Sequence, residues 1–163
     1  MTRDKILQTI REQHAQLEHW LAPLSEEVIC QHPVVGWWTM KDVLGHIAMW
    51  EQVAIQFIND YKHTGVPQPL GIETDAQVDE RNEREVAIRR DWSLARVRAE
   101  FDATYRDLLA AIESLSDADL SAPSPDPWDK ETTLEKLIAI NSYEHIPEHI
   151  AQIEQWRSGA VGQ

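Results

Sequence analysis

The stretch "GWWTMKDVLGHIAMWE", Gly36 to Glu51, carries the clearest helix start in the chain and one of its seven histidines. Thr39 stands as an N-cap with Asp42 three residues later, and Trp38 and Val43 are placed to form a hydrophobic staple across the cap. From there the inner face reads Val43, His46 or Ile47, Trp50, Val53, Phe57 and Tyr61, which is a helical period. His46 thus falls on the edge of an apolar stripe, where an imidazole must find a partner or raise the free energy.

Downstream, "HTGVPQPLGIET" has two prolines and two glycines in twelve residues and stops this second helix beyond Tyr61. The charged segment from Thr74 to Asp91, "TDAQVDERNEREVAIRRD", reads as a partly helical crossover with a mostly solvated surface. Ser93 caps a third helix with the stripe Val97, Phe101, Tyr105, Leu108, Ile112 and Leu115. The connector "SAPSPDPWDKE" then leads into a fourth helix at about Thr132, running through Leu134, Ile138, His145, His149, Ile153 and Trp156, with Gly159 as its stop.

Upstream, the first helix starts after Thr2 and ends near Ala22, with Pro23 beyond it. Its stripe is Ile6, Ile10, Leu17, Leu21 and Leu24, with His14 in the gap between Ile10 and Leu17 and His19 on the opposite, charged face. The connector "SEEVICQHPVVGW" carries a short helical turn after Ser25. No stretch alternates with period two for long enough to make a sheet. The expected fold is therefore an all-α four-helix bundle, one domain over residues 1–163.

A formal net charge of −13, with no concentration of Lys and Arg, argues against a nucleic-acid partner. The N-terminus is amphipathic, and no apolar run approaches 18 residues; with the single cysteine, Cys30, these features imply a cytoplasmic protein with no membrane partner. Cys30 has no evident partner and is not read as a nucleophile.

In "YEHIPEHIAQIEQW", Tyr143 to Trp156, His145 and His149 lie about 40° apart on one helix face and could offer two imidazoles to one ion. Core histidines bonded to neighbours are the plain alternative. The same letters match H-x-x-E-H, the inverted zinc-protease signature with Glu148 as base, but Pro147 and the bundle context do not suit a protease. Pro147 also frees the carbonyl of Tyr143, so a kink or bulge is expected there. Asn141 and Gln152 are candidates to orient the imidazoles, and Trp50 and Trp156 either pack the core or wall a pocket.

Depth decides whether His46 can join the pair. At 1.5 Å per residue, simple up-down alternation puts His46 about 10 Å from the top of the bundle, with His145 and His149 about 19 and 25 Å down. If the crossover instead makes the second and third helices run in the same direction, His46, His149 and His145 lie about 10, 12 and 18 Å from one end, and His14 lies at about 12 Å.

The segments "GWWTMKDVLGHIAMWE" and "NSYEHIPEHIAQIEQW" resemble the second and fourth helices of the DinB-like (DinB/YfiT) superfamily. The wording of the last helix and the tryptophan before it, Trp128, are similar to the branch of ClbS and DfsB. The resemblance implies an up-down-down-up bundle and a divalent metal, zinc or nickel, on His46, His145 and His149. It further implies a metal-dependent transferase or hydrolase that uses a low-molecular-weight thiol or water against an electrophilic small molecule, in detoxification or resistance. A homodimer fits the family. Binding or sequestration without turnover is the alternative, and His14 is expected to be a core or supporting residue and not a fourth ligand.

Overall fold

The computed structural model describes residues 1–124 and 132–161, with side chains to residue 159. Ten elements follow in order: α1 (Arg3–Leu21), α2 (Glu26–Gln31), β1 (Pro33–Val35), β2 (Trp38–Thr39), α3 (Met40–Thr64), α4 (Asp75–Arg89), α5 (Leu94–Glu113), α6 (Asp117–Leu120), α7 (Leu134–Ile140) and α8 (Ile146–Val161). The four bundle helices are α1, α3, α5 and the pair α7–α8.

Their starts are set by the caps that the sequence advertises. Thr2, Ser25, Thr39, Thr74, Ser93, Ser116 and Thr133 each accept a backbone N–H at a helix start, and Thr39, Thr74 and Ser116 form full capping boxes. At the far end of α3, Gly65 takes φ +79° and donates its N–H to the Tyr61 carbonyl, a left-handed stop that glycine adopts without strain.

Two apolar clusters fix the helix directions. One joins Ile6 and Ile10 from the start of α1 to Val53 and Phe57 from the end of α3, Leu108 and Ile112 from the end of α5, and Leu134 and Ile138 of α7. The other joins Leu17 and Leu21 to Val43 and Leu44, Val97 and Phe101, and Ile150 and Ile153. Hence α3 and α5 run parallel to each other and antiparallel to α1 and α7–α8. This is the up-down-down-up order, with the crossover between the second and third bundle helices.

The crossover is helical throughout α4 and is less solvated than its charge implies. Val86 and Arg89 are buried, and Trp50 donates its indole N–H to Asn82 Oδ1 at 2.9 Å, pinning α4 across α3. Arg89 crosses α3 at Gly45, where a Cβ would meet Arg89 Cδ at 2.7 Å. A glycine inside a helix is unfavourable by about 1 kcal/mol, and here it admits the passing side chain.

Three expectations are corrected. The connector before α3 holds a two-stranded antiparallel hairpin, with Pro33 opposite Thr39 and Val35 opposite Trp38; Gly36 at φ +56° makes the turn, and the strands are too short to show alternation. The fourth helix is broken between Ile140 and Ile146. Gly159 lies inside α8 and does not stop it. The start of the fourth helix falls at Leu134 after the Thr133 cap, while residues 125–131 of the second connector, including Trp128, lie outside the described residues.

Side chains repair the break. Asn141 and Ser142 donate to the carbonyls of Leu137 and Ile138, four residues back, at 2.8 and 2.6 Å. Pro147 is the second residue of α8, where a missing N–H removes no intrahelical bond. The carbonyl of Tyr143 accepts instead from Gln13 Nε2 on α1 at 2.9 Å.

Candidate metal centre

His46 sits on the second turn of α3, two turns inside the Thr39–Asp42 capping box, so the cap fixes both the start and the rotation of the helix that carries it. His145 ends the break and His149 lies on the first turn of α8. A tightened turn joins the last two, with His145 N–H donating to Ser142 O at 2.9 Å and Glu148 N–H to His145 O at 3.2 Å. The break therefore aims His145 while α8 aims His149.

The three rings converge through their Nε2 atoms. His145 Nε2 lies 3.0 Å from His46 Nε2 and 2.8 Å from His149 Nε2, and one nitrogen from each ring falls within 4.8 Å of the others. Ring centroids are 4.6 to 4.9 Å apart, with the planes steeply inclined to one another. His46 and His149 are buried, and His145 is half-buried.

Burial pushes the His46 imidazole down to about 2, helped by the neighbouring His145 and His149 and by the Arg89 guanidinium. Burial, then His149, takes His145 down to about 3. His149 is also lowered by burial, against the opposing pull of Gln152 and Glu148. All three rings are thus neutral near pH 7, the form in which imidazole ligates metals.

A divalent ion suits this donor set. Gln152 Oε1 lies 2.9 Å from His149 Nδ1, so the proton belongs on Nδ1 and the Nε2 lone pair faces the cluster. A single proton on His145 Nε2 would serve only one of its two neighbours, whereas a cation satisfies three converging lone pairs. Neighbouring donors around a tetrahedral zinc stand about 3.3 Å apart, so the two close contacts need to open by only a few tenths of an ångström. His46 Nδ1 and His145 Nδ1 are buried and have no hydrogen-bond partner among the described residues. Among the described residues Gln152 alone supports a ring of the triad from behind, and Asn141 bonds to the backbone of its own helix.

The remaining candidates fall outside the triad. His14 Nε2 lies 2.7 Å from Glu51 Oε1, with the ring stacked on Tyr105 at 4.0 Å and Phe101 at 4.8 Å. Glu51 is fully buried, its Oε2 has no partner among the described residues, and burial raises its pKa against the opposing pull of His14. Sequence reasoning missed Glu51, although its position four residues after Ile47 marks a carboxylate on the apolar stripe. Glu148 is exposed and forms no ion pair among the described residues. Burial raises the Cys30 thiol against the opposing pull of Lys41, which disfavours the thiolate. Trp50 and Trp156 are half-buried and pack against the two core clusters.

Comparison with known proteins agrees with this architecture. The uncharacterized protein YuaE of Bacillus subtilis (strain 168) is 26% identical over 149 residues, covering 86% of this chain and 91% of that protein. Among solved structures, the sibling lethal factor precursor DfsB superposes with a TM-score of 0.80 at 20% identity, over 98% of this chain and 97% of its own. The colibactin self-resistance protein ClbS, in complex with a dsDNA, gives 0.79 at 13% identity, over 96% of each chain. The mycothiol-dependent maleylpyruvate isomerase gives 0.75 at 12% identity, over 94% of this chain and 61% of that one. At these identities the structural likeness speaks for the fold. The DinB superfamily matches residues 9–153, and the chain belongs to that superfamily.

Proposed function

We propose that His46, His145 and His149 hold one divalent ion, zinc or nickel, in a metal-dependent enzyme. The enzyme would transfer a low-molecular-weight thiol, or water, onto an electrophilic small molecule in detoxification or resistance. The observation that carries this reading is the convergence of three neutral imidazoles through their Nε2 atoms, two buried and one half-buried. When bound, the ion would supply a nucleophile at neutral pH by lowering the pKa of the thiol or water.

The protein's own contributions are legible in its side chains. Gln152 holds the tautomer and orientation of His149. Trp38 lies against His46 with ring centroids 4.8 Å apart. Arg89, held in place by Glu85 and Glu100, lies near enough to His46 to help keep that imidazole neutral. The thiol reading draws support from the isomerase named as mycothiol-dependent on the same fold, and the resistance reading from ClbS.

We further propose that the protein works as one domain, in the cytoplasm, as a homodimer acting on a small molecule. A net charge of −13 disfavours a nucleic-acid partner. Among the described residues, no helix is long and apolar enough to cross a membrane.

Metal analysis of untagged protein tests the site. About one divalent ion per chain is expected, and absence of metal even after reconstitution would sink the reading. Sequestration without turnover is the second reading, because the triad could hold an ion whether or not a reaction follows. A panel of thiols and electrophiles separates the two on metal-loaded protein, since only an enzyme yields product in excess of the protein present.

A further inference from the structure

A path of rings connects the triad to the surface. The Trp38 ring lies 4.8 Å from His46, Trp37 stands edge-on to Trp38 at 6.4 Å, and the Arg90 guanidinium lies over Trp37 at 5.1 Å. Trp37 is 48% exposed and Arg90 is exposed, so the path ends at an indole face beside a cation, both in solvent. Trp37 belongs to neither apolar cluster.

Both ends of this outer pair rest on fixed supports. Trp37 belongs to the turn of the β1–β2 hairpin, which Gly36 closes with a positive φ. Arg90 caps the C-terminus of α4, and Lys41 ties that end to α3 by donating from Nζ to the carbonyls of Arg90 and Trp92 at 2.8 and 2.9 Å. Its neighbour Arg89 is neutralised by Glu85 and Glu100, whereas Arg90 forms no ion pair among the described residues, and Asp91 beside it is itself exposed. An arginine stacked on an indole keeps the N–H edge of its guanidinium free for a carboxylate or phosphate. In a chain with a net charge of −13, this free cation runs against the prevailing sign.

We infer that Trp37 and Arg90 form an outer subsite of the histidine centre that selects a ligand with a flat apolar body and an anionic group. The body lies against Trp37, the anion meets Arg90, and the opposite end reaches past Trp38 toward His46. This names the substrate class for the function proposed above and rests on that reading only for the chemistry at the inner end.

Binding of 2-naphthoate and of its neutral isostere 2-naphthamide tests the subsite, measured by ligand-observed NMR titration on metal-free and zinc-loaded protein. Naphthoate is expected to bind at least about fivefold more tightly than naphthamide in both forms. Arg90→Gln should abolish that preference, Arg90→Lys should keep part of it, and Trp37→Ala should weaken both ligands. Equal affinities, or a preference that survives Arg90→Gln, would overturn the inference. So would a preference seen only with zinc, because the anion would then sit at the triad. Protein that never takes up zinc yet shows an Arg90-dependent preference would refute the metal centre and leave the subsite standing.

Discussion

Each triad histidine depends on a different local device, so single substitutions should separate metal affinity from folding. His149→Ala removes the one imidazole of the triad that α8 carries, and the apolar clusters do not depend on it. Metal content should fall from about one ion per chain to near zero while the circular dichroism spectrum stays helical. Loss of helicity would instead make the histidine structural. Gln152→Ala leaves all three ligands in place and frees only His149 Nδ1. Its expected effect is a loss of about 10- to 100-fold in metal affinity by competition with a chelating dye.

The second buried polar group calls for the opposite outcome, a change in stability without a change in metal. Glu51 is fully enclosed and touches His14 at 2.7 Å. Glu51→Ala leaves that imidazole without its partner beside a new cavity, and should cost about 3 kcal/mol or more in urea unfolding. Glu51→Gln keeps a hydrogen bond and removes the buried charge, so it should cost less, about 1 kcal/mol. Zinc stoichiometry should stay the same in both variants, since neither residue belongs to the triad.

At the scale of the element, the passage of α4 over α3 turns on one glycine. Replacing Gly45 by Ala adds a methyl group 2.7 Å from Arg89 Cδ, in the middle of a side chain whose guanidinium is held by Glu85 and Glu100. Helix propensity alone predicts a gain of about 1 kcal/mol, and steric conflict predicts a loss of about 1 to 3 kcal/mol. The conflict should win because Arg89 cannot move without breaking its ion pairs. In a double-mutant cycle, adding Gly45→Ala to Arg89→Ala should cost less than it does in the wild type, and additivity would show that the two do not meet.

That contact also marks what the sequence could and could not disclose. Caps are local chemistry, and Thr2, Ser25, Thr39 and Ser93 placed their helices correctly. That His46, His145 and His149 come together was legible from spacing, face and depth taken with the family resemblance. The break in the fourth helix was only half legible. Pro147 announced the free Tyr143 carbonyl, but the break begins at Asn141 through side chains bonding back to their own helix. The Glu51–His14 pair and the Gly45–Arg89 crossing were not legible, because each joins residues more than 30 positions apart by a packing choice that no local pattern encodes.

For the molecule as a whole, three imidazoles drawn out of solvent link folding to pH. In the folded chain, burial holds His46 at about 2 and His145 at about 3, with His149 also lowered. In the unfolded chain these groups return to a pKa of about 6.5. Between those limits the unfolded state binds more protons, so stability falls as pH falls from about 6.5 toward about 3 and is unaffected by these groups above about 7.5. Three such groups together can contribute up to about 4 kcal/mol per pH unit. Two other effects oppose this. Acid reduces the repulsion within a chain of net charge −13, and Glu51, whose folded pKa is raised, gains stability from protonation. Metal-free protein should nonetheless lose thermal stability below about pH 6.5, and His145→Gln should flatten the slope in that range by about one proton's worth. A wild-type slope unchanged by His145→Gln would mean that the imidazoles are not held neutral by burial. Zinc should raise stability across this range without steepening the fall, because His46 and His145 are already free of protons in the folded chain before the ion binds.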